Sequence, residues 1–341
     1  MPLEFSWQLP PMQDDTLSQW QARPGDWIQL ALAVEYAGLD GLWIGNGLGQ
    51  PDSLGVAAAL CAHTRKLALT VSVAPQVMLP AALASTLQSL QSISQQRIRL
   101  HLPDSGRNSA YRAFGEFLNR DQRNERIGEY LDLLARLLAP LDEPFDHAGR
   151  YFQLESAGIA RRNLAAPPLL LDASQDPELM GRHADQCLLS LVPLPALAQQ
   201  IQRLRDSAKA HDRELSLACQ LGLILGDSED QAWQQAERHL ASLGVMAPEA
   251  DPRVSDLARP FAETRRLEIH PNLWQPEAGG AVFLVGTAQQ CAARLQTLHE
   301  LGIRHVVMTA EHPVREVLRF AEQILPLLQT RGLRKESRHR A

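Results

Sequence analysis

Short apolar runs of strand character alternate along the chain with longer stretches whose apolar residues recur at helical spacing. The runs Leu3–Leu9, Gly41–Ile44, Leu67–Val73, Ile98–Leu102, Pro168–Leu171, Cys187–Leu189, Leu215–Leu225 and His305–Thr309 predict eight strands. A helix is expected from Pro24, where proline and Asp26 favour initiation, through Ile28, Leu30, Ala31, Val34 and Ala37 to a stop at Gly38. Further helices are predicted over Pro80–Ile93, Asp121–Leu138, Pro195–Ala210 and Pro313–Leu328. The second of these has the clearest stripe: Ile127, Tyr130, Leu131, Leu134, Leu137 and Leu138. Strands separated by helices argue for parallel pairing through crossover connections. Eight of them suggest closure, giving an α/β fold of the (β/α)8 TIM-barrel kind over residues 1–328 as a single domain. Residues 245–281, rich in proline and glycine, interrupt the alternation between the seventh and eighth strands. They read as an insertion or lid, or equally as an ordinary surface excursion.

Composition narrows the partners. The chain has 341 residues, 45% of them hydrophobic, enough for one large core, although length alone also allows two smaller domains. A net charge of −6 gives no nucleic-acid footprint. The basic residues Arg331, Arg334, Lys335, Arg338 and Arg340 gather in the segment 329–341, expected to be a solvated, disordered tail. The start lacks a basic stretch followed by an apolar one, and no apolar run approaches the ~18 residues of a membrane span, so a cytoplasmic protein is expected. Cys61, Cys187, Cys219 and Cys291 are too dispersed for a CxxC pair and read as buried thiols. No P-loop, HExxH or GxSxG occurs, no metal-ligand spacing stands out, and Gly45–Gly49 lacks the GxGxxG spacing.

Several segments together resemble the bacterial-luciferase-like flavin monooxygenase superfamily, and the alkanesulfonate monooxygenases most. They are Phe5-Ser6-Trp7-Gln8-Leu9-Pro10, Tyr36-Ala37-Gly38-Leu39-Asp40-Gly41-Leu42-Trp43-Ile44, Pro80-Ala81-Ala82 on to Leu90, Ser94 and Arg97, the helix start Arg123–Glu129, and Tyr151-Phe152 with Pro167-Pro168-Leu169. The most specific is Leu267-Glu268-Ile269-His270-Pro271-Asn272-Leu273-Trp274, followed by Gly279-Gly280-Ala281 and Leu284-Val285-Gly286. The resemblance implies a two-component system. A separate reductase supplies reduced FMN, which binds at the C-terminal ends of the strands. Oxygen adds to the flavin, and the adduct oxidises a small-molecule substrate. It also implies a homodimer or homotetramer.

The positions that carry the family's chemistry are mostly changed. Met12 stands for a histidine, Gln50 for a cysteine, Gln220 and Gly222 for an arginine and a histidine, and Glu311 for a tyrosine; the lid arginine has no counterpart. Gln220 brings no charge to a sulfonate and Glu311 would repel one, so a more neutral or cationic substrate is expected. Asp172-Ala173-Ser174-Gln175 replaces a Gly-Gly-Ser-Ser turn that meets the FMN phosphate. Ser174 can still donate there, while Asp172 opposes a dianion. His101, Asp104, Ser105 and Gly106 replace Asn and Thr-Gly; Arg107, Arg120 and Arg123 can restore positive charge, with Arg123 matching the family's motif and Asn124 in place of a tyrosine. The catalytic candidates are therefore Gln220, Glu311 and His101. The cofactor-binding candidates are Ser174, Arg123, His101, Ser105 and Asn46. Each has a plainer reading: a satisfied strand-end histidine, a turn-stabilising Asn46, a barrel-filling Gln220, a helix-capping Glu311-His312. Trp7 and Trp43 read as core. The function expected is a reduced-FMN-dependent monooxygenase; an inactive barrel homologue with a binding role, or a deazaflavin-dependent oxidoreductase, are the alternatives.

Overall fold

Eight parallel strands pair in a closed ring: β1 (Glu4–Gln8), β2 (Gly41–Ile44), β3 (Ala68–Ser72), β4 (Ile98–Leu102), β5 (Leu169–Asp172), β6 (Gln186–Leu189), β7 (Ser216–Leu225) and β8 (Ile303–Thr309). Each pairs with the next, and β8 returns to β1 through Glu4↔His305 to Trp7↔Met308. Closure removes every edge from the ring, and helices cover its outer face. The computed structural model describes residues 1–10, 23–47, 51–104, 108–140, 143–158, 164–243 and 261–334.

Alternate strand residues face inward. Facing outward from β1, the fully buried Phe5 and Trp7 meet Phe320 edge-on at 5.0 and 6.2 Å. Inside, Trp43, Leu170, Leu188 and Val307 form an apolar mid-layer. Below it the interior turns polar. His305 is fully buried, with Nδ1 2.8 Å from Gln186 Oε1 and Nε2 2.8 Å from Ser6 Oγ. Arg99 and Glu4 close the bottom with an ion pair of 2.9 Å. Above the mid-layer lie Gln8, Ser72, Asp172 and Gln220, one from each odd-numbered strand, as barrel layers require.

The expected insertion is real and carries strands of its own. Glu268–His270 and Leu273–Trp274 form a hairpin, and just past the expected bound of 281 a further strand, Phe283–Gly286, runs parallel to the end of β7. β7 is ten residues long and outruns the ring. Ser216 N–H donates to Asp185 O, whereas Gly222 and Gly226 donate to Val282 and Gly286. These residues share a parity, so the added strand continues on the edge that β6 vacates. Residues 244–260 of the insertion lie outside the described residues. The helix predicted from Pro24 runs Pro24–Tyr36, with Asp26 accepting from the Arg23 N–H at 2.7 Å.

The basic tail departs from expectation at its start. The final helix ends at Thr330, Leu333 is buried, and its carbonyl accepts from Leu3 N–H at 2.8 Å. Arg334 pairs with Asp40 at 2.7 Å and stacks over Phe5 at 5.5 Å. A guanidinium with a carboxylate and a ring to meet docks where a lone charge would stay in water. Of the cysteines, Cys187, Cys219 and Cys291 are buried and Cys61 is half-buried, all as free thiols.

Candidate functional site

The C-terminal mouth of the barrel carries two polar groupings. The first is a hydrogen-bonded chain across three strands. Ser72 Oγ lies 2.9 Å from His101 Nδ1, and His101 Nε2 lies 2.9 Å from Asp172 Oδ1. A carboxylate can only accept, so Nε2 donates to Asp172, and Nδ1 is left to pair with the Ser72 hydroxyl. Both ring nitrogens are thereby used, and Trp43 holds the imidazole at 4.6 Å between ring centroids. The other Asp172 oxygen accepts from Asp104 N–H at 2.8 Å, and Tyr111 OH donates to Asp104 Oδ1 at 2.7 Å. Asp172, expected to oppose a phosphate, is committed to this network. The second grouping is an amide pair, with Gln220 Nε2 donating to Gln8 Oε1.

Beside the mouth opens a cavity of about 860 Å³ between the helix Arg120–Leu138 and the turn after β5. Its lining brings together Arg112, Arg120, Arg123, Ser174 and Gln175, with Asp104, Glu116 and Asp176. Asp104 accepts from Tyr111 and Asp176 from the Glu178 N–H it caps at 2.9 Å, while Glu116 pairs with Arg126 at 3.3 Å through Oε2 and keeps a buried Oε1 without a partner. Arg123 lies over the Tyr111 ring at 4.3 Å and donates to Leu118 O at 2.8 Å, which fixes its guanidinium at the wall. The first turn of the 19-residue helix Arg120–Leu138, capped by Asn119, adds backbone donors and the positive end of its dipole. Guanidinium groups, a hydroxyl and a helix N-terminus form a donor set suited to a phosphate monoester. Gln175, 8% exposed, donates to Leu102 O at 2.8 Å, while its buried Oε1 has no partner. An orphaned acceptor beside a cavity this size is a place for a ligand hydroxyl or N–H.

The predicted residues divide accordingly. Arg123 and Ser174 share the cavity, and His101 lies behind it through Asp172 and Asp104. Asn46 is half-exposed on the loop after β2. Gln220 is at the mouth. Glu311 lines a separate cavity of about 280 Å³ with His239, Phe283, His312 and Arg315, which shares no residue with the first. Burial there lowers the His239 pKa, with Glu311 pulling it back up. Ser105, Met12, Gln50 and Arg107 lie outside the described residues. Gly222, in a family histidine position, is explained by packing: a Cβ there would collide with the Phe283 ring of the added strand. Sequence reasoning missed Ser72, Tyr111 and Gln175, whose roles depend on contacts across the barrel. Among the described residues no group of three or more His, Cys, Asp or Glu could hold a metal, and no helix is long and apolar enough to cross a membrane.

A barrel with a phosphate-type cavity at its C-terminal face is shared by many enzymes. The luciferase-like monooxygenase family profile matches residues 3–305. The chain belongs to that family. Among solved structures, this luciferase-like chain is similar to a riboflavin lyase solved with modified FMN and riboflavin. The two are 21% identical, with TM-score 0.80 over 100% of this chain and 94% of that one. A long-chain alkane monooxygenase is 17% identical, with TM-score 0.77 over 98% and 93%. The EDTA monooxygenase of Chelativorans sp. BNC1 is 16% identical, with TM-score 0.76 over 98% and 95%. Identities this low establish the shared fold, and they do not single out the alkanesulfonate branch.

Proposed function

We propose that this chain is the oxygenating component of a two-component monooxygenase that takes reduced FMN from a separate flavin reductase. The observation that carries the reading is the joining of Arg123, Ser174 and the N-terminus of helix Arg120–Leu138 in one cavity beside the barrel mouth. Bound reduced FMN would supply the electrons and the oxygen chemistry. The chain's share is binding and orientation. Arg123, Arg120 and Ser174 hold the phosphate, Gln175 Oε1 accepts from a ribityl hydroxyl or ring N–H, and the Ser72–His101–Asp172 chain forms a fixed wall. With both nitrogens bonded, His101 acts as a positioning residue for Asp172 and Asp104. The mouth layer has Asp172 as its one charged group beside two amides and a hydroxyl, which suits a small uncharged substrate better than a sulfonate. Asn46, on the loop after β2, is assigned to the flavin, and Ser105 is assigned to it from the sequence alone; Glu311 has a lesser catalytic part from its own cavity. A cytoplasmic homodimer or homotetramer over one barrel domain completes the proposal.

Family membership and the donors that remain in the cavity weigh against the inactive-homologue reading. An anaerobic fluorescence titration with reduced FMN, alongside oxidised FMN, tests the proposal. Saturable binding, tighter for the reduced form, is expected. Absence of binding of either form at concentrations well above micromolar would overturn it.

A further inference from the structure

The amide pair at the mouth has hydrogen-bonding capacity left over in a defined order. Gln8 ends β1 and Gln220 sits on β7, and their inward side chains meet with Gln220 Nε2 donating to Gln8 Oε1. A primary amide carries two N–H donors and a carbonyl with two lone pairs. The bond fixes the two amides side by side. It leaves Gln8 Nε2 as a donor and Gln220 Oε1 as an acceptor, and neither has a further partner among the described residues. Gln220 is exposed and Gln8 half-buried at the C-terminal end of the barrel, the end where barrel ligands sit.

A donor beside an acceptor complements a ligand edge with a carbonyl beside an N–H. The ligand carbonyl accepts from Gln8 Nε2, and the ligand N–H donates to Gln220 Oε1. We propose that the Gln8–Gln220 pair is a receptor for the cis-amide edge of a neutral ring: an imide, a lactam or a pyrimidinedione. The absence of a cationic side chain in this layer (Gln8, Ser72, Asp172, Gln220) agrees with a neutral edge over a deprotonated one. A site built to bond such an edge discriminates strongly against an analogue that lacks the N–H, because its own polar groups are then left unpaired. Two ligands can bring this edge: the pyrimidine half of a flavin ring, or a separate substrate. The cofactor arm rests on the flavin reading above; the substrate arm does not.

The test compares oxidised FMN with N3-methyl-FMN, and the fluorescent pyrimidinedione lumazine with 1,3-dimethyllumazine, which has no ring N–H left, the latter pair with and without saturating oxidised FMN. Binding is measured on the full chain, in wild type and in Gln220→Leu. Methylation removes the N–H and is expected to weaken binding about tenfold or more in one pair, with the difference vanishing in Gln220→Leu. A loss confined to FMN assigns the receptor to the cofactor, and a loss confined to lumazine assigns it to the substrate. Equal binding of methylated and unmethylated forms in both pairs overturns the proposal. So does a methylation penalty that persists in Gln220→Leu, since that is steric. If FMN fails to bind in any form the flavin reading falls, while lumazine without FMN still decides this one. If Gln220→Leu does not fold, Gln220→Met takes its place, with the same two outcomes.

Discussion

Two histidines inside one barrel make the same number of hydrogen bonds and have different parts to play. His305, near the bottom, bonds Gln186 and Ser6 and is fully buried. His101, near the top, bonds Ser72 and Asp172. Burial drives the His305 pKa down to about 3, with Arg99 adding to the effect, so its ring is a neutral bridge between two strands. The chain through His101 runs instead into Asp104 and Tyr111 at the wall of the large cavity. Hydrogen-bond count therefore does not separate a structural histidine from one at a site. What separates them is which end of the barrel the network reaches and whether it ends in a cavity.

Removing His305 should give the largest stability loss. His305→Ala leaves Ser6 and Gln186 unpaired and opens a void, at a cost of about 3 kcal/mol. Urea denaturation would register this, and FMN affinity of the folded fraction should hold. An unchanged midpoint would dissolve the contrast from below. Asp172→Ala should cost less, about 2 kcal/mol, through the lost bonds to His101 and the Asp104 N–H. It should also weaken FMN binding, by freeing His101 and shifting Asp104; a stability loss with intact FMN affinity would make the upper network structural too.

The pH dependence sharpens the comparison further. Above the ordinary histidine value near 6.5 His305 is neutral in both states and contributes no slope. Below it the unfolded chain takes up a proton that the native one refuses. Stability therefore falls with falling pH by roughly 1.4 kcal/mol per unit from this residue, down to about pH 3. His305→Gln should flatten the acid limb by one proton, and an unaltered slope would show that His305 is not the buried base. The smallest effect belongs to Glu311→Gln. Its cavity is separate, so stability should move within about 0.5 kcal/mol and FMN affinity should not change. Without the carboxylate's opposing pull the His239 pKa should fall further, which NMR titration would follow.

The barrel was legible because each strand is a short apolar run between helices that begin with a cap or a proline. The predicted runs overlap all eight observed strands, most within a residue or two at each end. The hairpin Phe145–Ala148 with Gln153–Ala157 escaped notice because its sequences, FDHA and QLESA, hold few apolar residues. The added strands hid in a segment whose prolines and glycines read as loop. At the site, strand-end position pointed to His101, and family spacing to Arg123 and Ser174. The bond between His101 and Asp172, 71 residues apart, has no local signal, nor does the Gln8–Gln220 contact across 212 residues. Glu311 follows β8 closely enough to suggest the mouth. The overrunning β7 and helix Glu229–Ser242 enclose it in a cavity of its own.

The central claim is that the three-arginine cavity holds the phosphate of a flavin. Its most direct test compares the affinities of FMN and riboflavin, which differ only by that phosphate, in wild type and in Arg123→Ala. The account predicts that wild type prefers FMN by about tenfold or more, as a charge-assisted contact requires, and that the preference falls toward unity in Arg123→Ala while riboflavin affinity is retained. Equal affinity for the two flavins in wild type, or an FMN preference that survives Arg123→Ala undiminished, would contradict it.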